Sequence, residues 1–394
     1  MTSAPRKIQD WLGRLSPAWR VSLLAFLAGR LLFSAWAAVI WKMGLMPTNQ
    51  GFYYFEITPI LQGWSGALLG MWQRWDSIHY ERILRFGYLN ADLTAFFPLY
   101  PFLSRLLAYI PGLSPLAALL IVSNLAFLGS IYLLYRLASD LFGENLARRT
   151  LFILIIYPST FFFYAAYPQS LLFFLILLAY TFARAGKWWA VAAAGFCAGL
   201  THLTAVVLPA LLVLPAFTAG QHKPLKERLP ILFASLASLA GIGAYFLWRE
   251  LAGYGSYGQL QSQVFQRSLH LPWDGVAAMI RYALNLPFTL ETLIPWIMLL
   301  VFLVVVGITI WSVRKLPPPF VLFEFGLLLL ILTTYQDPYP VLGVLRFPMI
   351  LFPLYIGIAS VGKAKACRIA IFVFCVLTSL ICSAFFFMWK GGML

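Results

Sequence analysis

The chain has 394 residues, and its 28 basic and 13 acidic side chains make up only 10% of it, whereas a soluble domain carries roughly 25% charged residues. With 62% hydrophobic residues, the composition excludes a water-soluble globular protein and a disordered one. The net charge of +15 does not indicate a nucleic-acid partner, because membrane proteins concentrate Lys and Arg in their cytoplasmic loops.

The apolar runs of the sequence predict an all-α polytopic membrane protein, since a spanning helix needs about 20 apolar residues. The first run, from about 21 to 41, follows four basic residues and is too long for the apolar region of a signal peptide. We therefore expect an uncleaved first span with its N-terminus in the cytoplasm. The later runs lie near 113–136, 150–183, 188–219, 229–248, 293–313, 319–334, 341–361 and 369–389.

Two of these runs, 150–183 and 188–219, have basic residues at both ends. As one helix, the first of them would be about 51 Å long, which is too long for a single crossing, and both basic ends belong in the cytoplasm. Each run is therefore predicted to cross the membrane twice, with breaks near 157–167 and 201–204. The total is then about eleven transmembrane helices.

Two long segments, 44–112 and 249–292, join spans on the side opposite to most basic residues. Loops of this length are uncommon unless they are functional or disordered, and both are rich in Trp, Tyr, Phe and Pro, unlike disordered segments. We expect two large, folded extracytoplasmic loops within a single domain, 1–394.

The first of these loops contains the most informative motif, which lies in 71–88. If the segment is helical, Trp72, Trp75, Asp76 and His79 share one face, so that a carboxylate and an imidazole lie among indoles. The alternative is an amphipathic interfacial helix whose Asp and His merely face water.

An aromatic, proline-containing run follows this motif after a short linker. The matching elements are Trp75-Asp76, His79-Tyr80, Gly87-Tyr88 and Ala95-Phe96-Phe97-Pro98-Leu99-Tyr100-Pro101. In their order and spacing the chain resembles the PIG-V family, the GPI mannosyltransferase 2 type. Weaker matches lie at 157–170, where Gln169 stands at a position at which the family tends to have Glu, and at Leu345-Arg346-Phe347.

The resemblance implies a GT-C fold and transfer of mannose, or a related hexose, from a polyprenyl-phosphate donor to a hydroxyl of a lipid-linked or surface acceptor. It also implies an essential acid in the first extracytoplasmic loop, which Asp76 matches. General chemistry agrees, because an acceptor hydroxyl is a poor nucleophile until a carboxylate takes its proton. A single displacement with Asp76 as general base inverts the anomeric carbon.

The departing lipid phosphate is negatively charged and calls for cations or hydrogen-bond donors. We expect His79, Arg346 and Arg82 to supply them, although Arg346 can also be an interfacial arginine and Arg82 a lipid-headgroup contact. The candidates for the cavity and the acceptor site are Trp75, Tyr88, Tyr167, His202 and Asp337. For His202 and Asp337 the alternative is a turn-capping role. No metal site and no required cofactor are predicted, since Asp-x-Asp does not occur, and dependence on a divalent metal stays open.

Two other functional classes stay open. A secondary transporter or flippase of a lipid-linked solute also uses broken helices, but its charges would lie at the bilayer midplane. In a structural membrane protein the Asp76 and His79 face would be incidental. The expected partners are membrane lipids, the polyprenyl-phosphate sugar donor and a lipid-linked or glycan acceptor, and no nucleic acid. The lack of an N-x-[S/T] sequon and the short length favour the cytoplasmic membrane of a prokaryote over the endoplasmic reticulum, with an extracytoplasmic active site.

Overall fold

The structure is a computed structural model that describes residues 15–45, 57–285, 287, 293–336, 343–361 and 364–390. Helices dominate it. The α-helices are α1 (Pro17–Lys42), α2 (Gly63–Leu68), α3 (Asp76–Phe86), α4 (Leu99–Ala108), α5 (Pro115–Phe142), α6 (Glu144–Ile156), α7 (Phe161–Tyr164), α8 (Gln169–Arg184), α9 (Trp188–Gly199), α10 (Leu208–Gly220), α11 (Leu225–Ser235), α12 (Ala237–Leu251), α13 (Tyr257–Gln263), α14 (Pro272–Asn285), α15 (Leu293–Ser312), α16 (Pro318–Thr333), α17 (Phe352–Val361) and α18 (Lys365–Phe387). Short 3-10 segments cover Gly70–Trp72, Asp92–Ala95, Leu203–Val207 and Phe347–Ile350.

Several of the described helices can cross a membrane. Five are long and apolar enough, namely α1, α5, Leu203–Gly220, α15 and α18, and the pair α11 and α12, bent by 58°, would be a sixth. The shorter apolar helices α8, α9, α16 and α17 lie in the other predicted runs. The chain is thus a multi-pass helical membrane protein, as predicted, while the number of eleven spans stays a prediction.

The run 150–183 is broken where the sequence predicted it. Helix α6 ends at Ile156 and α8 begins at Gln169, with only the single turn α7 between them. Side chains bind the backbone that the break leaves without helical partners: the Ser123 hydroxyl donates to the Tyr167 carbonyl at 2.9 Å, and the Ser170 hydroxyl donates to the Phe163 carbonyl at 2.6 Å. Because lipid offers no hydrogen bonds, irregular backbone at membrane depth needs such partners.

The second predicted break separates α9 from the helical segment that follows it. Helix α9 ends at Gly199, and the next helical segment begins at Leu203 as a 3-10 turn that continues into α10. The gap coincides with the break that the basic residues at both ends of this run predicted.

The described parts of the two long segments, which the sequence predicts to be the first and second outer loops, are folded. The first contains α2, α3 and α4, and the second contains α13, α14 and a short strand, β1 (Arg267–Leu269). This strand pairs antiparallel with β2 (Thr334–Gln336), with Ser268 opposite Tyr335. Two three-residue strands therefore add to the predicted helices, and they attach the second loop to the end of α16.

Candidate active site

Asp76 is the first residue of α3, which begins later than the motif predicted. The expectation of one helix from Trp72 through the motif is wrong in its first part, because Trp72 lies in a separate 3-10 turn and Trp75 has φ +51° and ψ −120°. A non-glycine residue with positive φ is strained. The bend at Trp75 ends the first turn and starts a new helix with a carboxylate at its N-terminus, where negative charge is favourable.

Arg74 holds this bend in place. Its side chain is fully buried, and its Nε donates to the Phe387 carbonyl at 3.0 Å. Its own carbonyl accepts hydrogen bonds from the Tyr167 hydroxyl at 3.1 Å and from the Ser77 hydroxyl at 2.8 Å. These bonds connect three distant parts of the chain and stabilise the strained residue that follows, Trp75.

Asp76 forms an ion pair with Arg346, which is 270 residues away in the sequence. The Arg346 Nη1 atom lies 2.5 Å from Asp76 Oδ2, and the side chains are 14% and 32% exposed, respectively. Burial would raise the pKa of the Asp76 carboxyl, but the positive charge of Arg346, with a smaller effect of His79, lowers that pKa below its ordinary value. The second carboxylate oxygen, Oδ1, accepts no hydrogen bond from a described residue, so it is available to a ligand.

This ion pair lines a cavity of about 540 Å³, within the usual range for small-ligand sites. The cavity lies between the first long loop, the break before α10, the second long loop and the C-terminal end of α16. Its charged and longer polar side chains are those of Asp76, Gln169, His202, Gln261, Arg267 and Arg346. Its larger apolar side chains are those of Phe96, Phe97, Leu203, Phe265, Leu269, Leu330 and Phe347. Charge and apolar surface thus meet in one cavity.

Arg267 supplies a second positive charge to the cavity. Its Nε donates to Gln336 Oε1 at 2.8 Å across the β1–β2 pair, and its Nη1 donates to Gln261 Oε1 at 3.2 Å. Among the described residues it has no ion pair with a carboxylate. Burial lowers the pKa of Arg267, and the charge of Arg346 lowers it further. Two arginines therefore face one carboxylate, which leaves the cavity with excess positive charge.

His202 both lines the cavity and caps a turn, so the two sequence-based alternatives coexist. Its Nδ1 accepts a hydrogen bond from the Thr204 N–H at 3.2 Å. Burial lowers the pKa of His202 to about 3, and the charge of Arg346 adds to this effect. The imidazole is therefore neutral near pH 7 and carries its hydrogen on Nε2. Its ring packs on Phe347, with the ring centres 5.6 Å apart.

Three aromatic candidates do not line the cavity and pack against other parts of the protein. Trp75 packs against Trp389 in a separate apolar cluster, with the ring centres 5.5 Å apart. The Tyr88 hydroxyl donates to the Phe96 carbonyl at 2.8 Å. Tyr167 is buried, and its ring centre lies 5.8 Å from the Arg346 guanidinium carbon. None of the three lines this cavity, and their contact with a ligand stays a prediction.

Two of the three expected phosphate partners also lie outside the cavity wall. His79 stacks on Phe96, with the ring centres 4.7 Å apart, and of these two residues only Phe96 lines the cavity. Arg82 does not line the cavity, and at 5% exposure it is not solvated as a lipid-headgroup contact would be. Asp337, the remaining candidate, lies outside the described residues.

Three of the charged and longer polar side chains of the cavity, Gln169, Gln261 and Arg267, were not among the residues predicted from the sequence. A signal for Arg267 was present, because a basic residue in an outer loop departs from the usual concentration of basic residues on the cytoplasmic side. Gln169 was noted only as a departure from the family pattern, and nothing in the sequence placed it beside Asp76.

Comparison with protein families gives one match of substantial length. Residues 29–263 match the family model described as mannosyltransferase (PIG-V), which is more than half of the chain. No curated protein matches the chain.

Three solved structures are similar to parts of the chain. Two are of ArnT from Cupriavidus metallidurans. The structure bound to undecaprenyl phosphate has 14% identity and a TM-score of 0.48, and the apo structure has 15% identity and a TM-score of 0.47. Each alignment covers 86% of this chain and 61% of ArnT. The third, an Archaeoglobus fulgidus oligosaccharyltransferase tethered with an acceptor peptide, has 15% identity, a TM-score of 0.40 and coverage of 92% and 55%. This chain thus spans less than two thirds of the length of each.

Proposed function

We propose that this chain, which belongs to the mannosyltransferase (PIG-V) family, is a GT-C membrane glycosyltransferase that moves mannose from a polyprenyl-phosphate donor to a hydroxyl of a lipid-linked or surface acceptor. The observation that carries the proposal is the Asp76–Arg346 ion pair in the wall of a cavity that also has apolar sides. The membrane is proposed to be the cytoplasmic membrane of a prokaryote, with the cavity on its outer side.

In the proposed reaction, Asp76 is the general base. The acceptor oxygen attacks the anomeric carbon of mannose while Asp76 Oδ1 takes the hydroxyl proton, and the bond between that carbon and the phosphate oxygen breaks. The electron pair leaves with the polyprenyl phosphate, so a single displacement inverts the anomeric carbon. Arg346 keeps the carboxylate ionised and fixes its other oxygen, so that Oδ1 is presented in one orientation.

The proposed site for the donor phosphate is formed by Arg267, together with the Nη2 atom of Arg346, which makes no hydrogen bond to Asp76. Arg267 is anchored by Gln261 and Gln336, while its Nη2 has no described partner and can donate to a phosphate oxygen. The apolar side chains at the outer end of α16, such as Leu330, would contact the first prenyl units. The proposal includes no cofactor.

A transfer assay on the purified chain tests the proposal. With radiolabelled polyprenyl-phosphate mannose and mixed lipid-linked acceptors, we expect release of polyprenyl phosphate and a labelled acceptor. A transporter would instead move the labelled lipid across a proteoliposome membrane without cleaving it. Intact donor in the presence of acceptors, with movement across the bilayer, would contradict the enzymatic proposal.

Arg267→Gln is expected to weaken the use of the donor. A charge-assisted hydrogen bond to phosphate contributes about 1.5–3 kcal/mol, so the donor KM should rise about tenfold or more while kcat changes little. Arg281→Gln is a matched control, because Arg281 lies exposed on α14 in the same loop. A fall in kcat without a change in donor KM would contradict the proposed role of Arg267.

A further inference from the structure

Gln169 is a buried cavity residue whose carboxamide has no partner. It is the first residue of α8, is only 3% exposed, and lines the same cavity as Asp76 and Arg346. Its Oε1 atom is shielded from solvent and has no hydrogen-bond partner, and its amide makes no hydrogen bond to a described residue. Burying such a group without partners destabilises a protein. Its presence therefore has a reason other than stability of the empty fold.

The surroundings of Gln169 explain why it has no partner. The residue before it, Pro168, has no N–H to donate. Polar groups that neighbour it in the sequence bind elsewhere, since the Tyr167 carbonyl accepts from Ser123 and the Ser170 hydroxyl donates to the Phe163 carbonyl. The break between α6 and α8 thus satisfies its own backbone and leaves the Gln169 carboxamide for the cavity.

The chemistry of the amide limits what can bind there. Its oxygen needs a hydrogen-bond donor, while its nitrogen needs an acceptor. A phosphate diester or an ionised phosphate brings only acceptor oxygens, and a prenyl chain brings neither. A hydroxyl group donates and accepts at once, and Arg346, in the same cavity, has a buried Nε–H without a partner that such a hydroxyl can also accept.

We propose that Gln169 binds a hydroxyl group of the sugar that the donor carries, and so distinguishes a sugar-bearing lipid phosphate from the bare lipid phosphate. The assignment rests on the proposed function, because it takes the sugar to lie beside Asp76. It makes Gln169 a binding residue of the donor sugar, separate from the phosphate contacts of Arg267.

Binding of two lipids to the full purified chain tests the assignment. The probes are polyprenyl phosphate and polyprenyl-phosphate mannose, and the variants are Gln169→Leu, which removes both hydrogen-bonding atoms, and Gln169→Glu, which keeps the acceptor. Gln169→Leu should lower the affinity for the mannose-bearing lipid about tenfold, the size of one lost hydrogen bond to a buried group, and leave the affinity for polyprenyl phosphate unchanged. Gln169→Glu should retain most of the preference for the sugar. Gln259→Leu is the control, because Gln259 is exposed and does not line the cavity.

A stability measurement separates this role from a structural one. Replacing a buried, unpartnered amide by an apolar group of similar shape should leave the melting temperature of the ligand-free protein unchanged or raise it. A lower melting temperature, an equal loss for both lipids, or no loss for either would overturn the assignment while the proposed function stands. If the wild-type chain binds neither lipid, the proposed function fails and the assignment fails with it.

Discussion

Asp76→Asn is expected to abolish measurable transfer while the protein stays inserted and folded. An amide cannot take the acceptor proton, and a positioned general base contributes about 10²–10⁴-fold to a rate. The measurement is the initial rate of mannose transfer by purified variants in the same detergent. Since the substitution keeps the volume of the side chain and one hydrogen-bond acceptor for Arg346, donor affinity should change far less than kcat.

Two further variants make the Asp76 result specific. Asp92→Asn removes a carboxylate from an exposed position in the same outer loop and should leave transfer unchanged. Asp76→Glu keeps the carboxylate but displaces it by one methylene, so partial activity is expected. Normal turnover in Asp76→Asn, with the variant and the wild-type protein both inserted in the membrane, would remove Asp76 from the mechanism.

Arg346→Met is expected to have the second-largest effect, on activity, pH dependence and stability together. The variant leaves the Asp76 carboxylate in the cavity wall without its counter-charge. Removing one partner of a buried pair costs about 3–5 kcal/mol, and the exposure of about a third of the Asp76 side chain to the cavity should reduce that cost. We expect a lower melting temperature and a rate reduced by at least about tenfold, because orientation of the base is lost.

The pH profile gives the sharpest test of the ion pair. In the wild-type protein the pKa of Asp76 is lowered, so the carboxylate stays ionised and transfer should persist on the acidic side of pH 7. In Arg346→Met the pKa of Asp76 should rise, because burial then acts without the opposing charge. The acid limb of kcat/KM should therefore move to higher pH, whereas Arg105→Met, at an exposed position on α4, should leave it in place.

The lowered pKa of Asp76 also makes the stability of the folded protein depend on pH. A carboxyl whose folded pKa is below its unfolded value of about 3.9 stabilises the protein above that pH, and this contribution is lost as the pH falls through the lowered folded pKa. Wild-type protein should thus lose the contribution of the pair only in strong acid. An unchanged acid limb and melting temperature in Arg346→Met would show that the pair does not control the ionisation of Asp76.

Local patterns in the sequence were sufficient to predict a multi-pass helical membrane protein and the breaks within two of its apolar runs. Apolar runs with basic ends predicted the breaks near 157–167 and 201–204, and both are confirmed. The motif that contains Asp76 pointed to the family, because its order and spacing form a composite pattern. The same local reasoning was wrong about the start of α3, since helical periodicity cannot reveal a strained bend such as that at Trp75, which Arg74 and Tyr167 hold by contacts from far along the chain.

Composition, the spacing of apolar runs and one motif thus determined the class of the protein and the identity of its central carboxylate. Only the tertiary structure decided that Arg346 lies against Asp76, that Arg267 joins them through the pairing of β1 with β2, and that Gln169 faces the same cavity. The physical reason is that periodicity records which face of an element avoids water or lipid, while the partner of a buried polar group depends on packing between elements that are distant in sequence. The same packing places five residues that the sequence favoured as site residues outside the cavity wall: Trp75, Tyr88, Tyr167, His79 and Arg82.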